Sequence, residues 1–200
     1  MSLRLKIVQA GDPVLRQQAR CLTREDILSD GIQDVIEWMR ETMRDAPGVG
    51  LAAPQVGVPI QLAVIEDRAE LLKGVAPEKL AERGRRAIPF HVIINPVLSL
   101  GSDPVTFFEG CLSVAGLTAL VPRALNAEVR CLNHAGEEVS LRADGWYARI
   151  LQHEIDHLNG RLYVDRMITR SLMTIDNHAR YWNDLPFEKL REEFLQSPPG

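Results

Sequence analysis

Two hundred residues, 46% of them hydrophobic and 25% charged, suffice for one globular domain with a substantial core and room for a cleft. A formal net charge of −4 argues against a protein whose main business is gripping phosphate backbones, so nucleic acid is not an expected substrate. No apolar run approaches the roughly 18 residues of a membrane span, the amino terminus shows no signal-peptide h-region, and three cysteines without short paired spacing (Cys21, Cys111, Cys131) suit a reducing compartment.

In chain order, "LKIVQ" reads as a short strand followed by a turn at Gly11-Asp12-Pro13. Thr23, three residues before Asp26, offers a cap for an amphipathic helix that carries Ile32, Val35, Ile36, Met39 and Met43 at helical spacing and runs out at Pro47-Gly48. "GVGLAAPQ" is a small-residue loop, and Ile60 to Ile65 a buried strand. Residues 66–89 are charged and punctuated, as expected of a surface loop insertion. "FHVIINPVLSLG" and "VTFFEGCLSV" read as strands, and "AEVRCLN" and "EVSLRAD" as a hairpin about "HAGE". From Trp146 to Leu158 the pattern turns helical, with Trp146, Ile150, His153 and His157 on one face and a stop at Asn159-Gly160. The tail gives another helix, broken at Pro186, and a frayed end over 194–200. These elements predict a single α+β domain spanning 1–200.

The chemistry concentrates in "QHEIDHLNG", residues 152–160. Histidines at i and i+4 of a helix project from one face, so His153 and His157 can converge on one cation, with Glu154 placed to handle the protons of a metal-activated water. The plain alternative is a solvated, polar helix face. A catalytic ion needs a third protein ligand and an open position. One peptidase class takes a third histidine six residues after the second; Tyr163 stands there and closes that route. A glutamate from a later helix is a second route, but Glu188, Glu192 and Glu193 lie beyond Pro186 in a charge-mixed segment and read as solvated. Cys111 remains, preceded by Gly110, which permits close backbone approach; a thiolate is a strong ligand for zinc or ferrous iron. Cys21 and Cys131 read as packing residues, and His91, His134 and His178 as structural or surface groups.

"GVGLAAPQ" (48–55), "EGCLS" (109–113) and "QHEIDHLNG" (152–160), in this order and spacing, resemble the three motifs of the peptide deformylases, and the resemblance runs from about residue 4 to 168. It implies antiparallel β-sheets around a central metal-binding helix, with an N-terminal amphipathic helix and a C-terminal helix. It also implies a metal-dependent amide hydrolase that removes the formyl group of formyl-methionine from newly made polypeptides and releases formate. Carried over by position, Cys111, His153 and His157 are the metal ligands, Glu154 is the general base and acid, and Gln55 with the backbone N–H of Leu112 holds the developing oxyanion. The implied cofactor is one divalent ion per chain, Fe2+ natively, with Zn2+, Ni2+ or Co2+ as substitutes.

Val49, Gly50 and Gly110 are expected along the bound peptide, and Trp146, Arg149 and Ile150 around the methionine side chain; the alternative for Trp146 and Ile150 is ordinary core packing. Formyl-methionyl nascent peptides are the implied partners, with a transient contact to the ribosome and none to nucleic acid or membrane. Thr118 stands where many relatives place an arginine that contacts the peptide backbone, which leaves that contact unaccounted for. "SVAG", "DGWYARI" and the 66–89 insertion resemble the subgroup that includes organellar members, but the start shows no Arg- and Ser-rich transit peptide, so a bacterial cytoplasmic enzyme is expected. Two other readings use the same residues: a zincin-type metallopeptidase, and a non-catalytic relative that binds formylated N termini.

Overall fold

The structure is a computed structural model that describes residues 3–101, 103–183 and 185–195. Thr23 caps α1 (Arg24–Leu28) through a capping box, its hydroxyl accepting from Asp26 N while the Asp26 carboxylate accepts from Thr23 N. The expected single helix is two. Ser29 is extended, accepts from Ile32 N, and so opens α2 (Asp30–Asp45) as a new helix. The spacing read from the sequence then holds: Ile36, Met39 and Met43 are buried against Leu51, Leu62, Val64 and Ile94.

The strands that follow are β1 (Gly50–Ala52), β2 (Leu62–Asp67), β3 (Ile88–Leu100), β4 (Pro104–Cys111), β5 (Val114–Ala124), β6 (Asn126–Leu132), β7 (Glu138–Asp144) and β8 (Met173–Thr174). They form two antiparallel sheets, in the orders β1-β2-β3-β6-β7 and β4-β5-β8. The expected hairpin is β6–β7; Ala127, Val129 and Cys131 alternate inward while Asn126, Glu128 and Arg130 face out.

Two expectations are corrected, and one strand is added. "LKIVQ" is not a strand, because its backbone N–H groups bond to unrelated segments, Leu5 N to Thr42 Oγ1 and Val8 N to Gln55 O, and the following Ala10 N bonds to Ser113 O. Residues 66–89 are not a plain loop. Glu66 and Asp67 finish β2, with Asp67 fully buried in a two-pronged pair with Arg85, and α3 (Ala69–Leu72) and α4 (Pro77–Arg83) follow. β5, left unassigned by the sequence reading, is the partner of β4 along nearly its whole length.

α5 (Gly145–Leu158) is buried on almost every side and touches strands of both sheets, which makes it the axis of an α+β domain. Polar side chains rivet it there: Gln152 exchanges hydrogen bonds with both backbone groups of Ala124, and Asp156 accepts from Arg123 and, two-pronged, from Arg166. The helix ends at Gly160, whose φ of 70° and whose approach to the Arg16 carbonyl, 2.7 Å from where a β-carbon would stand, leave no space for another residue type. The tail consists of α6 (Ile175–Asn177), a π-turn over His178–Trp182, and α7 (Phe187–Leu195), with the expected interruption at Pro186. Of the expected frayed end, 194 and 195 belong to α7 and 196–200 lie outside the described residues. Among the described residues no helix is long and apolar enough to cross a membrane.

Candidate metal centre

The β4–β5 ladder shifts register between Gly110, opposite Thr118, and Cys111, opposite Val114, and Cys111 at the end of β4 meets α5. One turn apart on α5, His153 and His157 meet it. Cys111 Sγ lies 3.3 Å from His157 Nε2, and His157 Nε2 lies 3.3 Å from His153 Nε2. The three ligand atoms fall within 4.8 Å of one another, as three donors around one ion require. Burial keeps His157 neutral by pushing its pKa well down, which leaves a lone pair for a cation. Burial also works against a charge on His153, but the Cys111 thiol and the Glu109 carboxylate beside it raise its pKa well above the ordinary value; a bound cation would replace that proton.

Glu109, the first residue of "EGCLS", has a role that its local sequence does not assign. Its carboxylate accepts from His153 Nδ1 at 3.0 Å, so His153 presents Nε2 to Cys111 and His157. It also accepts two-pronged from Arg123 and at 2.6 Å from Arg149. Burial alone would raise its pKa, but the His153 hydrogen bond and the Arg123 charge outweigh burial and hold it well below the usual carboxylate range. A sequence signal existed: an acid beside the aromatic pair of a strand, two positions before a candidate ligand.

Glu154 points to the same place. It is buried, its Oε2 has no hydrogen-bond partner, and burial pushes its pKa up to about 7 against the pull of His153. Gln55 is equally buried. Its Oε1 accepts from Ala52 N at 2.9 Å, which fixes the amide so that Nε2 faces Cys111 Sγ (3.5 Å) and Ser113 Oγ (3.2 Å). With Ser113 N also 3.4 Å from the sulfur, two N–H groups face Cys111 Sγ.

These groups line a cleft of about 450 Å³ between the β1 edge of one sheet and the β4 edge of the other. Val49, Gly50, Gln55, Gly110, Cys111, Leu112, Trp146, Arg149, Ile150, His153 and Glu154 all reach its wall, and His157 lies beneath, 1% exposed. Arg149 contributes wall only: its guanidinium is 3% exposed and donates to Glu109, Val121 O and Val105 O. Thr118, noted for the arginine it replaces, donates to Glu109 O at 2.8 Å and so braces the backbone beside the cleft. Ile175, half exposed at the mouth, was not foreseen, because the strand pair β5–β8 that brings the tail there has no signal in its own two residues.

Comparison with known proteins agrees with this geometry. Residues 4–172 match the family described as "Polypeptide deformylase". The chain is 48% identical over 172 residues to peptide deformylase 1A, chloroplastic, of Solanum lycopersicum, covering 86% of this chain and 62% of that one. It is 47% identical over 182 residues to peptide deformylase 3 of Streptomyces avermitilis, covering 90% and 78%. It thus spans somewhat less than two thirds of the tomato relative's length, and the same holds for the Arabidopsis thaliana relative, at 64%. Among solved structures it resembles a class I type b peptide deformylase from Acinetobacter baumannii bound to Met-Ala-Ser (TM-score 0.74, 31% identity, 84% of this chain and all of that one). It also resembles a peptide deformylase from Synechococcus elongatus in complex with actinonin (TM-score 0.68, 40% identity, 82% and 78%). With the matched region enclosing all three ligand candidates and every strand but β8, the chain belongs to the polypeptide deformylase family.

Proposed function

We propose that the protein hydrolyses the formyl amide at the N terminus of formyl-methionyl peptides, releasing formate. The observation that carries this reading is the convergence, in one cleft, of a Cys-His-His donor set, a buried carboxyl with a free oxygen and a fixed amide donor. Cys111, His153 and His157 would hold one divalent ion, with ferrous iron the proposed native metal and zinc, nickel or cobalt as substitutes. Such an ion supplies the positive charge that ionises water near neutral pH and polarises a carbonyl.

The chain's own groups do the rest. Glu154, the one carboxyl of the cleft wall with an oxygen left unpartnered, takes the proton of the attacking water and hands it to the departing amine. Gln55 Nε2, with the backbone N–H of Leu112, donates to the oxygen on which negative charge develops; a donor of this kind is worth about 3 kcal/mol. Glu109 orients His153. The peptide lies as an added strand between the edges at Val49-Gly50 and Gly110, and the methionine side chain enters the apolar space beside Trp146 and Ile150. The peptide Met-Ala-Ser bound to the Acinetobacter relative supports this choice of substrate. A bacterial cytoplasmic setting, with transient access to nascent chains at the ribosome, fits the bacterial relatives.

The test is formate release from formyl-Met-Ala-Ser by the ferrous protein under anaerobic conditions. Stoichiometric formate with an intact Met-Ala-Ser product is expected. Cleavage of an internal peptide bond without formate would show a metallopeptidase instead, and binding without turnover a non-catalytic relative.

A further inference from the structure

A second cavity, of about 220 Å³, lies between α4, β4 and the turn over His178–Trp182. Phe107, Phe108, Leu120 and Trp182 give it apolar walls, while Lys79, Arg83 and His178 bring positive or titratable groups to it and Glu82 one carboxylate. Arg83 is the unusual member. Its guanidinium lies 5.5 Å from the Phe107 ring and 5.2 Å from the ring of Trp146, the residue that also walls the cleft. Among the described residues no carboxylate or carbonyl accepts a hydrogen bond from it, whereas its neighbour Arg85 is fully engaged by Asp67.

A guanidinium carries five N–H donors in a planar fork, and that of Arg83, half-buried between aromatic faces, leaves those donors to water or to an incoming anion. Burial lowers the Arg83 pKa, and burial together with the charges of Arg83 and Lys79 lowers that of His178. His178 sits edge-on to Phe108 at 4.4 Å and lines the same cavity as Lys79 and Arg83. Lys79 is less available, since it already donates to Asn183 O at 3.0 Å.

We propose that this cavity binds a small organic carboxylate, its carboxylate paired with the Arg83 guanidinium and its apolar or aromatic body packed against Phe107, Phe108 and Trp182. A carboxylate matches the one unpartnered fork, and the walls match an apolar body better than the hydration shell of a phosphate.

Benzoate, acetate and inorganic phosphate are titrated separately into the metal-loaded protein, followed by tryptophan fluorescence and by the ring resonances of His178. The expected result is saturable benzoate binding at least tenfold tighter than acetate, no saturation with phosphate, and perturbed His178 signals. Arg83→Gln should weaken benzoate at least tenfold, and Arg83→Lys, which keeps the charge and loses the fork, by less. Phosphate binding as tight as benzoate would overturn the proposal in favour of a general basic patch. Benzoate affinity unchanged in Arg83→Gln, or binding that leaves His178 untouched, would overturn it by placing the ligand in the cleft. Should Arg83→Gln not fold, the His178 resonances of the unaltered protein decide alone, and no saturable shift there ends the idea.

Discussion

A β-carbon added to Gly50 would stand 2.2 Å from Oε1 of Glu154 and 2.6 Å from its Cδ, closer than any stable contact. The β1 edge and the carboxyl of α5 therefore fit only because position 50 has no side chain. Gly50→Ala must displace the carboxyl, and displacing a proton-transfer group by about an ångström costs on the order of 100-fold in rate. Formate release should fall by about that factor while metal content, measured on the same sample, stays near one ion per chain.

Glu154→Gln keeps the shape and removes the proposed proton carrier. Turnover is expected to drop by roughly 10²–10⁴-fold with the metal retained. Because the native carboxyl has a buried oxygen without a partner, the amide should leave thermal stability unchanged or higher. Activity close to that of the unaltered protein would remove Glu154 from the chemistry.

Glu109→Gln acts on two scales. It leaves Arg123 and Arg149, each 3% exposed, without their shared anion, a loss of about 3–5 kcal/mol in urea unfolding. It also loosens the Nδ1 contact of His153, so metal affinity in a chelator competition should fall about 10–100-fold. A stability loss without any change in metal affinity would restrict Glu109 to a structural role.

Cys111→Ala should abolish stable metal binding, read by elemental analysis after dialysis. Cys131→Ala is the contrast: Cys131 is buried in the β6–β7 hairpin away from the centre, and its loss should cost about 1 kcal/mol of packing with full metal occupancy. Equal occupancy in both variants would mean that the third ligand lies elsewhere.

Glu66 tests the pH dependence of the scaffold. Arg44 donates two-pronged to it at 2.7 and 2.8 Å and, outweighing burial, holds its pKa below the ordinary 4.5. A depressed folded-state pKa stabilises above the unfolded value and is lost as pH falls through the folded one. Glu66→Gln should therefore cost about 1 kcal/mol near pH 7, with solvent screening Arg44, and the gap to the unaltered protein should close progressively below about pH 4.5. A gap that stays constant down to pH 3 would refute the ion pair as its source.

The sequence exposed what has a local period or a local chemistry. The i, i+4 histidines, the capping box at Thr23 and the β6–β7 alternation were all legible, and each appears where its pattern placed it. Relations that depend on distant chain segments were not. Nothing local marks Ser29 as a helix start rather than an interior serine; "LKIVQ" has a strand's composition but no single partner; and the role of Glu109 rests on Arg123, Arg149 and His153, 14, 40 and 44 residues away. Arg149 shows the same limit from the other side. Its helix position pointed to the cleft, but strand carbonyls and Glu109 had already claimed its hydrogen bonds.

The cleft is bounded by terminal strands of two different sheets, β1 and β4. An unpaired strand edge invites pairing with any extended chain, including another copy of the same protein, and so is ordinarily an aggregation hazard. Here β1 is three residues long and fully buried, recessed between α2 and α5. A short edge recessed in this way offers a folded neighbour no long, flat strand to pair with, and the extended peptide proposed above would meet it only from within the cleft.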